Sequence, residues 1–402
     1  MTAWISVIGI SDKGLDGLAV DRANLIENAD VLVGGERHLD LSSNHAGLRI
    51  DWSEGLGQAF DKIEMHKGKQ VVVLASGDPL HFGIGAKLVK RFGAEVLRFF
   101  PSPGAFSLAA ARVGWSIPDV QCLTVHGRPL EAVNLHLYPD AKMLLLSWDG
   151  RTPQALATLL VSKGFGDSRI TVLEHMEGDK EKRFDGIASN WSPDQSADLN
   201  TIALECIAGP DAVFWPRLAG LPEAAYIHDG KITKREVRAA TLAALAPMPS
   251  ETLWDVGAGS GAVGIEWMRS DVSLRTIAFE IDETKQSVIQ TNAKNLGVPG
   301  LKVVVGDFME KHAAVTTKPD AIFVGGGVSK REVLETCWDH LNRGGRLVAN
   351  GVTVEAHRTL MDFQSRHGGE MVRISVARSG PVGPMTAMRP LMDVLQLKAH
   401  KT

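Results

Sequence analysis

Apolar positions in the first half of the chain come in short blocks separated by amphipathic stretches. WISVIGI (4–10), DVLVGG (30–35), QVVVLAS (70–76) and EVLRFFP (95–101) are strand-sized runs with no polar alternation. Between and after them, DRANLIENA (21–29), IGAKLVKRFG (84–93) and GAFSLAAARVG (104–114) carry helical spacing. GWSIPD (114–119) interrupts the pattern. A second run then follows, with strands expected at QCLTVH (121–126), MLLLSW (143–148), RITVLEHM (169–176) and TIALECIAG (201–209), and a helix at PQALATLLVSKG (153–164). Alternation of this kind predicts α/β layers, and the interruption predicts two lobes with a cleft.

Residues 209–230 contain three prolines and no clear period, which reads as a linker whose apolar residues pack on something. The pattern restarts at ITKREVRAATLAAL (232–245), where Thr233 and Glu236 have capping-box spacing. Strands are then expected at 252–256, 275–280, 302–306, 320–325 and 345–351, with helices from about 261, over 282–297 and over 330–341. Asp282 and Gly297 mark the ends of the middle helix. A last helix from Val354 and terminal strands near MVRISVAR and MDVLQLK complete a doubly wound, Rossmann-like sheet. The expected organisation is therefore 1–208, a linker over 209–230, and 231–402.

Composition changes this picture little. A chain of 402 residues is too long for one ordinary core. Hydrophobic content of 44% with 22% charged residues is that of a globular protein, and no apolar run has the length of a membrane span. The net charge of −4 gives no overall field to attract nucleic acid, so an anionic ligand needs a local basic patch. Cys122, Cys206 and Cys337 lie far apart, which argues against a metal cage and for core thiols in a reducing, cytoplasmic setting. The apolar start lacks a preceding basic stretch, so no signal peptide is expected. Assembly into a homo-oligomer is expected.

LWDVGAGSGAVGIEW (253–267) is a strand, an acid, alternating glycines and a helix. Gly259 to Gly264 fits GxGxxG, in which glycines let the backbone approach a ligand with a helix N-terminus behind it. In a dinucleotide site that helix end faces pyrophosphate. S-adenosylmethionine instead brings an ammonium, a carboxylate and a positive sulfur, and gains from an acid such as Asp255 ahead of Gly257, Gly259 and Gly261. Glu280, at the end of the next strand, suits ribose hydroxyls under either reading. Asp307, after the third strand, suits an adenine amine, with Phe308 placed to stack on the ring. This favours S-adenosylmethionine, with a nicotinamide oxidoreductase as the alternative.

A second glycine turn, SGDP (76–79) followed by FGIG (82–85), has none of these acids and by spacing alone is a tight turn. With the strand VIGIS around Gly9 and the helix start at Pro103–Ser107, it resembles the tetrapyrrole methylases. That family has a class III methyltransferase fold of two α/β lobes, with the methyl donor in the cleft. DVLVGGERHL (30–39) and VHGRP (125–129) look like the branch acting on precorrin-6Y. GKITKREVR (230–238), DVGAGSG and ANGVTVE (349–355) are similar to the class I companion enzyme of the same vitamin B12 route. The first loop departs from the family's usual G-x-G by having Ser11.

The resemblance implies S-adenosylmethionine at two sites. One would involve Gly9, Gly77, Asp78, Pro79 and Ser107; the other Thr233 with the 255–261 loop, Glu280 and Asp307. It further implies methylation of carbon 5 by the first half, and methylation of carbon 15 with loss of carbon dioxide from an acetate arm by the second. A different tetrapyrrole substrate stays open. Such transfer relies on alignment in a dry cleft, with a base to take a proton afterwards. His81 and Glu355 are the candidate catalytic groups. The carboxylates of the macrocycle call for basic residues, for which His126, Arg128, Lys234 and Arg235 are the candidates, with Arg112, Lys231 and Arg238 near them. No metal is expected.

Overall fold

The apolar blocks of the first hundred residues become one parallel sheet. The computed structural model describes residues 3–42, 45–53, 55–192 and 195–402. The sheet contains β1 (Ile5–Ile10), β2 (Val31–Gly34), β3 (Leu48–Asp51), β4 (Val71–Ser76) and β5 (Leu97–Phe100), in the order β3-β2-β4-β1-β5. Alternate residues serve opposite faces: Val7, Val33 and Val73 belong to one core, Ile8, Leu32 and Leu74 to the other. Burial on both faces explains why these strands read as continuous apolar runs. β3 escaped the sequence pattern because Leu48 and Arg49 are exposed and Ile50 alone is buried.

A second, mixed sheet contains β6 (Gln121–Thr124), β7 (Lys142–Leu146), β8 (Arg169–Glu174), β9 (Lys182–Ile187) and β10 (Asn200–Glu205), in the order β6-β7-β10-β8-β9. Only β6 and β7 are parallel neighbours. The helix Ala105–Val113 packs Phe106, Ala109 and Ala110 onto this sheet with Leu144 and Ala203. Both sheets fall in one unit, which runs to Leu130 and resumes over Tyr138–Val213.

The other unit comprises Glu131–Leu137 and Phe214–Thr402. Its sheet is built from β11 (Thr252–Val256), β12 (Arg275–Glu280), β13 (Lys302–Val305), β14 (Ala321–Val324), β15 (Arg346–Gly351), β16 (Glu370–Ile374) and β19 (Val394–His400). The order is β13-β12-β11-β14-β15-β19-β16, with β19 antiparallel to its neighbours. A separate hairpin of β17 (Ala377–Val382) and β18 (Met385–Pro390) was not expected. Its residues are largely exposed, so it has no buried periodicity to read. Among the described residues no helix is long and apolar enough to cross a membrane.

Residues from Phe214 onward in the expected linker belong to this unit, and Leu221 and Tyr226 enter its core. Glu266, on the buried helix Ala262–Ser270, accepts the backbone N–H groups of Gly220 (2.7 Å) and Leu221 (3.0 Å) and the hydroxyl of Tyr226 (2.8 Å). It also pairs with the wholly buried Arg238 at 2.7 Å. Arg269 donates to the carbonyls of Trp215 and Pro216, each at 3.0 Å. A linker-like composition therefore hides a segment stitched down by two buried charges.

The Thr233–Glu236 capping box does not form. The helix begins at Arg235, and its N-cap, Lys234, makes no side-chain cap. Glu236 instead pairs with Arg378 at 2.6 Å, while the Thr233 carbonyl accepts from Arg238. For the Glu236 carboxylate, a charge-assisted bond from the Arg378 guanidinium outcompetes a backbone N–H. Breaking a buried pair strands the surviving charge, so Glu266→Ala is expected to destabilise the C-terminal unit by roughly 3–5 kcal/mol, read from chemical denaturation.

Candidate functional site

In the second unit the sequence-selected residues gather at the carboxyl ends of β11, β12 and β13, where open α/β sheets hold ligands. Gly257 has φ +75°, and a Cβ there would lie 2.5 Å from Gly326 Cα. Two loops thus meet backbone to backbone. The partner loop, Gly325-Gly326-Gly327, was missed, although three consecutive glycines after a strand were its signal. Gly259 has no such neighbour: the nearest atom to an added Cβ is the Lys231 carbonyl oxygen at 3.7 Å, which leaves open space above the turn.

Asp255 is buried and accepts the Gly264 N–H on Oδ2 (3.0 Å), while its buried Oδ1 has no hydrogen-bond partner among the described residues. Glu280 accepts Gly259 N–H (2.6 Å) and Asp282 N–H (3.1 Å), one on each oxygen, so both oxygens keep a free lone pair. Asp307 caps the short helix Phe308–Lys311 by accepting Met309 N–H at 2.8 Å. An orphan acid, a glycine turn with space above it and a half-satisfied acid at the next strand fit the ammonium and ribose of S-adenosylmethionine.

Packing corrects two expectations, those for Phe308 and Arg238. Phe308 is not free to stack on adenine, because it is packed edge-to-face with Phe279 at 5.0 Å and against Trp254. Arg238 is consumed by Glu266 and cannot meet substrate. Lys234 reaches back to the Gly230 carbonyl (3.4 Å), and Arg235 is exposed beside the exposed Lys231. Glu355 is exposed in the first turn of the helix Val354–His367, which Thr353 caps. Its own backbone N–H, and then the Thr353 side chain, hold its carboxyl below the usual range, which weakens it as a base. Cys206 and Cys337 are buried thiols, and burial pushes Cys206 up to about 12.

In the first unit the ends of β1, β4 and β5 interlock. A Cβ on Gly9 would sit 1.8 Å from the Gly77 carbonyl oxygen. Ser102 donates its N–H to that same carbonyl (3.2 Å) and its hydroxyl to the Gly9 carbonyl (2.8 Å). Asp78 accepts Leu80 N–H (2.9 Å), and the Pro79 carbonyl accepts Gly85 N–H (2.8 Å), so both shape the turn. Ser107 is exposed in the first turn of the following helix. His81 lies in an aromatic stack with Phe82 (5.3 Å) and Phe106 (5.0 Å). His126 and Arg128 are exposed on the turn after β6. Arg112 is held in two bonds by Glu181 (2.6 and 3.0 Å), which removes it from the substrate candidates.

A cluster beside the SGDP turn went unread. Asp12 joins Arg37 (2.8 Å) to His175 (2.9 Å). The Ser76 hydroxyl meets both Arg37 and His38 at 2.9 Å. Burial, and then Arg37, lower His38 to about 4, so it is neutral at pH 7. These residues stand far apart in sequence, and only the strand order brings them together.

Two family models match the chain: one described as tetrapyrrole (corrin/porphyrin) methylases over residues 5–186, the other as a precorrin methyltransferase domain over 224–401. A Sinorhizobium protein named precorrin-6Y C(5,15)-methyltransferase (decarboxylating) is 45% identical over 397 residues, covering 98% of this chain and 96% of its own. A Mycobacterium tuberculosis protein of the same name is 39% identical over 402 residues, covering 99% of this chain and all of its own length. A shorter Salmonella typhimurium protein, named cobalt-precorrin-7 C(5)-methyltransferase, is 30% identical over 179 residues, covering 44% of this chain and 88% of its own.

Burial raises the Asp255 carboxyl from 3.8 to about 7, opposed by the Gly264 N–H and reinforced by Glu280. The folded chain therefore holds this proton more tightly than the unfolded chain. Between pH 4 and 7 its contribution to stability falls as pH rises. Asp255→Asn is expected to leave the melting temperature unchanged near pH 4 and to raise it by roughly 2–4 °C or more at pH 8. The same substitution is expected to weaken S-adenosylmethionine binding, which calorimetry of the full chain reads directly.

Proposed function

The chain belongs to the precorrin-6Y C(5,15)-methyltransferase (decarboxylating) family, and from that premise we propose that it methylates two carbons of the precorrin-6Y macrocycle and removes carbon dioxide from one side arm in cobalamin biosynthesis. S-adenosylmethionine, when bound, supplies the methyl group on a positively charged sulfur. The observation that carries the reading is a pair of unrelated strand-end sites in one chain: the interlocked Gly9–Gly77–Ser102 loops, and the Asp255 loop with its orphan oxygen. Two methylations need two such sites, whereas one oxidoreductase site would leave the SGDP loop without a use.

The division of labour follows the same lines. The first unit takes carbon 5, and the second takes carbon 15 with the decarboxylation. The C(5)-methyltransferase relative supports a split of the reactions between two units, because one reaction is named there on a chain about half as long. In the second unit Asp255 faces the donor's ammonium, Glu280 its ribose and Asp307 its adenine. Lys231, Lys234 and Arg235 meet peripheral carboxylates at the mouth. Carbon dioxide leaves most readily when its acetate arm is not locked in a strong ion pair, because the conjugated ring itself takes up the electrons. The burial of Arg238 against Glu266 suits that requirement. In the first unit His126 and Arg128 meet carboxylates, and His81, two residues past the SGDP turn, is the proton acceptor. The enzyme works in the cytoplasm as a homo-oligomer.

With precorrin-6Y labelled in the acetate carboxyl group, the parent chain is expected to release labelled carbon dioxide, and Asp255→Ala is expected to lose that release by at least roughly a hundredfold while still folding. Release at the parental rate from the variant would refute the assignment of decarboxylation to the second unit. A parent chain that adds no methyl group to precorrin-6Y would refute the function itself.

A further inference from the structure

The SGDP turn carries a residue that the methyl donor does not explain. Phe82 has φ +57°, the left-handed region, and its side chain is 47% exposed. A bulky side chain in that conformation is strained by about 1–3 kcal/mol, and such strain persists where surrounding structure enforces it for a purpose. Two glycines, Gly83 and Gly85, follow within three residues, so the chain had small residues at hand for the turn. The ring is fixed from three sides. His81 lies nearly parallel to it at 5.3 Å, Phe106 meets it edge-on at 5.9 Å, and the Arg128 guanidinium sits 5.6 Å from its centroid.

Arg128 belongs to the other lobe of the same unit, on the turn after β6. That turn closes with Arg128 N–H donating to the Val125 carbonyl (3.1 Å), with Gly127 at φ +69°. Its other basic residue, His126, lies 6.1 Å from Trp148, which follows β7 and is 57% exposed. One turn therefore carries two basic side chains, each beside an exposed aromatic ring from a different element. No carboxylate pairs with Arg128 among the described residues, unlike Arg112 and Arg183 of the same unit.

We infer that Phe82 and Trp148 are the substrate-contacting walls of the first unit, which receive the flat face of the macrocycle while Arg128 and His126 meet its peripheral carboxylates. The inference rests on the proposed function and deepens it, because it assigns the specificity for a broad, apolar, carboxylate-rimmed ring to residues that the methyl donor does not explain. Chemistry favours this occupant. Exposed aromatic rings suit a planar π-system, and a guanidinium already steadied over one ring retains its N–H donors for a carboxylate.

The test uses the full chain and a 13C-methyl donor, with NMR to separate the two methylated carbons. Phe82→Gly and Trp148→Ala are each expected to raise the KM for precorrin-6Y roughly tenfold at one carbon, or at both where that methylation comes first, with the KM for S-adenosylmethionine unchanged, and with kcat unchanged in Trp148→Ala, which leaves the His81 stack intact. Phe82→Gly is also expected to keep or raise the melting temperature, since glycine relieves the backbone strain, so a loss of substrate affinity cannot be blamed on unfolding. Arg128→Gln is expected to raise the same KM. Parental KM for precorrin-6Y in both aromatic variants overturns the inference, as does a matching rise in the KM for S-adenosylmethionine. A parent chain that labels neither carbon overturns the proposed function instead.

Discussion

Both sites depend on one constraint: loops at the ends of parallel strands must touch backbone to backbone. At Gly9 the Gly77 carbonyl oxygen occupies the place a side chain would fill, and at Gly257 the same is true of Gly326. Close approach of this kind brings main-chain groups of separate strands to one edge, where a ligand can meet several at once. Any side chain at either position would pry the loops apart. The two units reach this arrangement with different sheets, one wholly parallel and one with an antiparallel strand, β19.

The buried acids of the second unit illustrate how satisfaction separates scaffold from site. Glu266 and Asp255 are equally hidden from solvent. Glu266 is surrounded by four donors, one of them carrying a full positive charge, so nothing remains for a ligand. Asp255 has one backbone donor and one orphan oxygen. Desolvation without compensation makes the second acid hold its proton more tightly. The scaffold acid anchors the segment before the helix Arg235–Leu245, and through it the Lys231 carbonyl that lies nearest Gly259.

The first unit shows the same economy in its aromatic and charged residues. Arg112 and Arg183 are neutralised by neighbours, and Asp12 ties Arg37 to His175. Arg128 rests on a ring instead, so its charge stays available. Near the SGDP turn the unit thus holds the Arg128 guanidinium back from ion pairing among the described residues and sets it over the exposed Phe82 ring.

Most strands and helices with two-sided or amphipathic burial were legible in the sequence, although the amphipathic helix Leu56–Glu64 was not read. The sequence by itself also determined the acid–glycine loop at 255–261, since these features are periodic or local and need no distant partner. It failed where side chains had to choose among partners. Thr233 and Glu236 have the spacing of a cap, yet Arg378 arrives from a distant hairpin and takes the Glu236 carboxylate. Phe308 looks available beside Asp307 until Phe279 and Trp254 enclose it. The Ser76–His38–Arg37–Asp12 cluster and the Phe82–Arg128 contact join residues that only strand order makes neighbours. Tertiary structure decided these because the energy of a charge or a ring depends on what surrounds it in space, which one-dimensional spacing does not encode.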